Sequence, residues 1–161
     1  MSERIVLAVG LPGSGKSTWF QRNDANPISS DAIRRQLIDD ESNQTINTRV
    51  FEIVRVLLRH RLELRRPVTF IDATNLTRKD RAPFIEIARR HGGGIEALWF
   101  DVPLDVCKAR NAARHRRVPD HIMDLMAAKF VPPSLEEGFD RVTVVPADEG
   151  PPGISPAASA N

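Results

Sequence analysis

Lys16 and Ser17 are the residues most committed to chemistry. They close the stretch VGLPGSGKST, Val9 to Thr18, in which Gly10, Gly15, Lys16 and Ser17 fit the spacing G-x-x-x-x-G-K-[ST]. Gly13 and Gly15 let the backbone curl round a phosphate, so that the amides of Gly13, Ser14, Gly15, Lys16, Ser17 and Thr18 point inward as donors. Lys16 adds a positive charge for the β and γ phosphates, and Ser17 offers a hydroxyl to Mg²⁺. The N-terminus of the following helix favours the same anion. A glycine turn that only joined a strand to a helix would need neither Lys16 nor Ser17. The stretch therefore predicts an ATP or GTP site.

A nucleotide site needs partners at the γ-phosphate, and three places in the chain offer them. The apolar run VTFID ends in Asp72, where a Walker-B carboxylate would hold the metal or its water, and DATN follows it. In SSDAIRRQL, Asp31 opens a short helix, where a carboxylate can take the proton of an attacking hydroxyl. The same position suits a helix N-cap, for which Ser30 and Asp31 are both favoured. Arg34 lies one turn further along that face, and its planar fork can grip a phosphate beside the hydroxyl. Finally, KARNAARHRRVPD carries Arg110 and Arg114 as an i, i+4 pair, then His115, Arg116 and Arg117. A run of this kind is either a solvated face or a lid whose arginines neutralise charge on a phosphoryl group in transit.

Those residues require a scaffold that delivers strand ends to one rim. RIVLAVG, PVTFID, IEALWF and RVTVV read as buried strands, with PIS as a weaker one. Between them lie helical patterns. Phe51, Val54, Leu58 and Leu62 define one face of a helix from roughly Thr48 to Arg65. TRKDRAPFIEIARRHGG predicts another, with Pro83 in its first turns and Gly92 to Gly94 ending it. LDVCKARNAARH and DHIMDLMAAKF complete the set. The fold class is α/β: a parallel sheet of about five strands with helices on both faces and ligands beyond the strands' carboxyl ends. Residues 1–146 form one domain, and the Pro-, Ala- and Gly-rich stretch 147–161 reads as a flexible low-complexity tail.

Composition narrows the class. At 161 residues the chain suits a single domain with a real core. Its net charge is only +2, so attraction to polyanions must come from local clusters. The single cysteine, Cys107, excludes an internal disulfide framework and a multi-cysteine zinc site, and reads as a core residue. The apolar run near the N-terminus is too short for a signal peptide, and no segment approaches the roughly 20 apolar residues of a membrane span. A cytoplasmic protein without membrane contact is the simplest expectation.

GLPGSGKST, ISSD with Arg34, DDESNQ, DATN and ARNAAR, in that order, resemble the kinase module of the polynucleotide 5′-hydroxyl kinases of bacterial RNA repair and of bacteriophages. The likeness runs from about Arg4 to Val145. The phosphate loop alone discriminates little, whereas ISSD…R, DATN and RN…R together are much more specific. The resemblance implies a P-loop kinase fold with a lid helix and loop, ATP and Mg²⁺ as cofactors, and transfer of the γ-phosphate to a 5′-OH end of RNA or DNA. It implies Lys16 and Ser17 for ATP and Mg²⁺, and Asp31 as general base. Arg34 would hold the acceptor's terminal phosphate, and Arg110 and Arg114 would clamp the donor phosphates. Asp72 and Asn75 would support the site from the third strand, and Gln44 falls near the acceptor. Related modules are often fused to a phosphatase or a ligase. This sequence carries neither DxDGT-type residues nor room for a ligase, so an end-healing phosphatase or ligase is expected as a separate partner.

The basic residues fit that reading or ordinary solvation equally. Arg55, Arg59, Arg61, Arg65 and Arg66 crowd one helix, while Arg78, Lys79 and Arg81 open the next. Arginine suits bidentate phosphate contacts. The chain has no tyrosine and few free aromatics for stacking, so contacts are expected at the terminal nucleotide or two. Two other classes stay open: a kinase of a small molecule, resembling zeta-type toxins, antibiotic phosphotransferases or sugar kinases, and a nucleotide-binding switch without transfer.

Overall fold

The structure is a computed structural model that describes residues 2–115 and 117–147. The tail expected over 147–161 lies, except for Ala147, outside the described residues, as does Arg116 of the basic run.

A parallel five-stranded sheet forms the centre. Its strands are β1 (Arg4–Val9), β2 (Ile28–Ser29), β3 (Val68–Asp72), β4 (Gly94–Asp101) and β5 (Arg141–Pro146), in the spatial order β2-β3-β1-β4-β5. β1 sits in the middle, with Ile5 beside Thr69 of β3 and Ile95 of β4. Helices cover both faces, which is why β1 reads as an unbroken apolar run: both sides of it are buried. The chain builds β2 and β3 on one side of β1, then crosses to build β4 and β5 on the other. A crevice therefore opens at the carboxyl end of β1, the place where open α/β sheets bind ligands.

One face is covered by α3 (Asn47–Glu63) and α4 (Arg78–His91), the other by α1 (Lys16–Arg22). On the first, Val50, Val54, Leu58 and Leu62 of α3 are buried against Ile5, Leu7 and Val9. Each such side chain contributes about 1.5–3 kcal/mol on burial. Phe51, expected in that stripe, is only half-buried, because the buried row starts one residue earlier at Val50. On the second face, Phe20 of α1 packs with Val6, Ala8, Leu98 and Phe100.

Local signals set the helix ends. α4 starts in a capping box, Thr77 accepting from the Asp80 amide and the Asp80 carboxylate accepting from the Thr77 amide, and it ends at Gly92 with φ 79°. Pro83, six residues into α4, lies within its first two turns.

Three expectations are corrected. RVTVV is an edge strand that pairs with β4 alone, and Val144 is 49% exposed. The N-cap of α2 (Ser30–Ile38) is Ser29, whose hydroxyl accepts from the Ala32 amide, so neither Ser30 nor Asp31 caps it. Arg81 belongs to no basic surface. It is fully buried, paired with Glu137 through two contacts of 2.8 and 3.1 Å, and it donates to the carbonyls of Asn75 and Val131. Among the described residues no helix is long and apolar enough to cross a membrane.

Candidate functional site

The residues picked out by type and spacing meet in one cleft of about 1760 Å³ above the carboxyl ends of the strands. Its floor is the loop between β1 and α1. Gly13 has φ 81°, and a Cβ there would lie 2.5 Å from the carbonyl oxygen of Cys107. Only glycine allows both the left-handed turn and this approach to α5 (Leu104–Ala112). Gly15 has φ 97° and leads directly into α1, whose first amides have no intrahelical partner. Ser14 Oγ is buried without a hydrogen-bond partner. Thr18, half-buried, also lines the cleft.

Lys16 is buried at the head of α1, its Nζ donating to the carbonyls of Gly10 (2.9 Å) and Leu11 (2.8 Å). Burial lowers its pKa from 10.5 to about 8, against the opposing pull of Asp72 and Asp31. Asp72 is shifted the other way: burial raises its carboxyl, while Lys16 and the Ser17 hydroxyl hold it down. Ser17 Oγ donates to Asp72 Oδ2 at 3.2 Å, so the end of β3 and the start of α1 present a hydroxyl and a carboxylate side by side. That pair fits Mg²⁺, which takes one or two protein oxygens and completes its shell with waters and phosphates. Among the described residues no group of three His, Cys, Asp or Glu could hold a metal by itself.

Across the cleft, α2 presents Asp31. Its Oδ1 accepts from Arg34 Nη1 at 2.8 Å, and Arg34 is only 3% exposed although it lines the cleft. Arg34 Nη2 donates to Asn47 Oδ1 at 2.6 Å, and Nη1 also reaches the Glu41 carbonyl. Its Nε is buried without a partner. Asn47 in turn donates to Gln44 Oε1 at 3.0 Å, so Gln44, itself exposed at the cleft mouth, closes a chain of contacts that ends on Asp31. Asn47 was not legible as a site residue. A single asparagine at a helix start carries no motif, and its part comes from the packing of α3 beside α2.

Asn75 is buried at φ 49°, and its side-chain amide donates to the Ala8 carbonyl of β1 at 2.8 Å. It braces the loop after β3 against the strand that carries the phosphate loop. Arg81 grips the Asn75 carbonyl from behind, so this buried cation supports the site from outside it.

The basic run lies over the loop. α5 ends at Ala112, so Arg110 is helical while Arg114 occupies the turn beyond, not the same helix face. Arg110 Nη1 would lie 3.6 Å from a Cβ on Gly15. The buried Asn111 closes this turn, donating to the Val118 carbonyl at 2.6 Å and accepting from the Val118 amide at 3.1 Å. Arg110, Arg114 and Arg117 all line the cleft, whereas His115 does not. Cys107 is buried, its thiol held above the usual range by burial, as expected of a core residue.

Comparison with known proteins bears on the family and the fold. A family model described as an AAA domain matches residues 5–133. The L-seryl-tRNA(Sec) kinase of Methanococcus maripaludis is 24% identical over 143 residues, covering 84% of this chain and 56% of that protein. The bifunctional polynucleotide phosphatase/kinase of Schizosaccharomyces pombe is 23% identical over 151 residues, covering 89% of this chain and 34% of that protein. The chain thus spans only part of the length of these curated relatives. Among solved structures, the Pnkp1/Rnl/Hen1 RNA repair complex superposes with a TM-score of 0.66 at 19% identity, covering 80% of this chain and 44% of that one. A gluconokinase from Sinorhizobium meliloti superposes with a TM-score of 0.58 at 18% identity, covering 92% and 84%. At these identities the structural likeness establishes the P-loop kinase fold.

Proposed function

This chain belongs to the AAA domain family, and from that footing we propose that it is an ATP-dependent polynucleotide 5′-hydroxyl kinase, acting on a 5′-OH end of RNA or DNA. The coarser statement, a kinase-type phosphotransferase with a nucleotide-binding P-loop, follows from the family and fold together.

One observation carries the finer reading. Arg34 is a buried guanidinium on the cleft wall, bonded to the candidate base Asp31, with its Nε unsatisfied. A buried donor without a partner is costly. An acceptor that brings its own phosphate beside the attacking hydroxyl would complement the charge of this guanidinium, which a neutral sugar hydroxyl, able only to accept a hydrogen bond, would not. Such a substrate is a nucleotide carrying a 3′-phosphate next to its 5′-OH end. The S. pombe relative, whose name includes polynucleotide kinase, supports the same choice.

In this mechanism the loop amides of residues 13–18, Lys16 and the lid arginines Arg110 and Arg114 hold the donor phosphates. Asp31 accepts the proton of the acceptor 5′-OH as that oxygen bonds to the γ-phosphorus. The bond from the γ-phosphorus to the β–γ bridging oxygen breaks, and ADP leaves with the electron pair. Lys16, Arg110 and Arg114 neutralise charge on the phosphoryl group during transfer. Ser17 and Asp72 are the residues that would hold Mg²⁺, which would supply further neutralisation of the donor phosphates. Gln44 and Asn75 keep the acceptor wall and the loop after β3 in place.

The test is transfer of labelled γ-phosphate from ATP with Mg²⁺ to a short oligonucleotide bearing a 5′-OH, beside the same oligonucleotide already 5′-phosphorylated. Label on the 5′-OH strand alone is the expected result. Transfer to gluconate or another small hydroxy compound, with none to the oligonucleotide, would replace this reading by a small-molecule kinase.

A further inference from the structure

A second groove, of about 390 Å³, runs between α3 and α4 on the outside of the helical layer. Arg55 and Pro83 line both this groove and the cleft, so the two openings adjoin at these residues. Beyond that junction Arg59 of α3 and Arg90 of α4 face the groove from opposite walls.

We propose that this groove carries the phosphodiester backbone of the acceptor strand beyond its terminal nucleotides, an inference that rests on the polynucleotide reading of the site. α3 begins at Asn47, against Arg34, and leads away from the cleft. The twelve steps of helix from Asn47 to Arg59 extend about 18 Å at the usual rise. Arg55 and Arg59, one turn apart on α3, therefore set two cations in file along the way out, about 6 Å apart.

Of the two carboxylates that line the groove, Glu86 is already engaged by arginines. Glu86 is bonded by both Arg89 and Arg90, with Arg90 Nε at 2.8 Å, and Glu63 lies 3.8 Å from His60. His91, at the far end, turns to Glu3 Oε2 at 3.2 Å. Among the described residues no ion pair joins Arg55 or Arg59 to a carboxylate, whereas Glu86 and Glu63 meet Arg89, Arg90 and His60. Arg59 is exposed and Arg55 half-buried, so their forks reach a passing phosphate without leaving a buried charge behind. The groove lining holds no Phe, Tyr or Trp, and its His91 is turned to Glu3, so it touches the backbone without stacking on bases and is indifferent to sequence. The site proper takes the terminal nucleotide or two, and the groove takes the phosphates that follow.

The experiment compares a nucleoside 3′-monophosphate with 5′-OH oligonucleotides of two, four and eight residues as acceptors, for the intact protein and for an Arg59→Gln/Arg90→Gln variant. In the intact protein KM should fall with length, and log KM should depend on log salt concentration. In the variant the mononucleotide KM should be unchanged, the gain with length should disappear, and the salt slope for the octamer should flatten by roughly 0.7 per arginine. An Arg59→Lys/Arg90→Lys variant should recover most of the slope. Full length-dependence retained in the glutamine variant would overturn the groove, as would equal KM for all lengths in the intact protein. No transfer to any 5′-OH acceptor would instead overturn the kinase reading and this inference with it.

Discussion

Asp31→Asn separates the base from its scaffold. The amide oxygen of asparagine can still accept the 2.8 Å contact from Arg34 Nη1, so the buried guanidinium keeps its partner while the proton acceptor is lost. The Asp31 side chain is 55% exposed, so the charge component of its pair with Arg34 is screened and contributes at most about 1 kcal/mol. For a domain of this size that is a fall in Tm of about 2–4 °C. A positioned general base contributes about 10²- to 10⁴-fold in rate, or roughly 3–5 kcal/mol of barrier at 1.36 kcal/mol per decade. Single-turnover transfer to a 5′-OH oligonucleotide should therefore slow by about 10²- to 10⁴-fold. Nucleotide affinity, measured by calorimetry with ATP at pH 7, should change far less than the transfer rate, because Asp31 bonds to Arg34 and not to the loop amides and reaches Lys16 only through its charge. Retention of more than about a tenth of the transfer rate would remove Asp31 from proton transfer, since a base worth only one decade lies below the range for such groups. Equal losses in transfer rate and ATP affinity would mean that Asp31 acts by shaping the cleft.

Asn47→Ala removes a 2.6 Å bond to a charged donor and should lower kcat/KM for the acceptor by roughly 10- to 100-fold while the KM for ATP stays put; parallel loss of both would show a general disturbance of α3. The depressed pKa of Lys16, about 8 in the free protein, means that kcat/KM for ATP should fall about tenfold per pH unit above that value, as the charge that meets the phosphates is lost. In the same window the unfolded chain binds the extra proton, so stability to urea should rise with pH as transfer fails, and a flat kcat/KM profile from pH 7 to 10 would refute the assignment. Arg81→Met leaves Glu137 buried without its cation and should cost about 3–5 kcal/mol. Denaturant melts should show it, and adding Glu137→Leu should recover much of the loss. A shift under about 1 kcal/mol would mean that water reaches the pair.

The sequence by itself determined the phosphate loop, because its chemistry is local. Gly13, Gly15, Lys16 and Ser17 act through backbone angles and amides within a few residues, and no distant contact can replace them. Most elements were legible for the same reason: the burial period of α3, the capping box of α4 and the apolar β1 are written in short windows. In the buried α3 row Val54, Leu58 and Leu62 were legible and only the first member was not, because packing in the folded core selects Val50 over Phe51. What the tertiary structure decided is what joins distant residues. Arg81 looked like one more surface arginine. Glu137, 56 residues away, makes it a buried brace for the loop that holds Asn75. RVTVV has the pattern of a buried strand, yet a strand order that leaves it one neighbour exposes it. Asp31 could be read as cap or as base: Ser29 takes the cap, and the contacts of Arg34 with Asp31 and Asn47 place the carboxylate on the cleft wall. Such placements depend on the charge and burial that non-neighbouring side chains supply, and those exist only once the chain has folded.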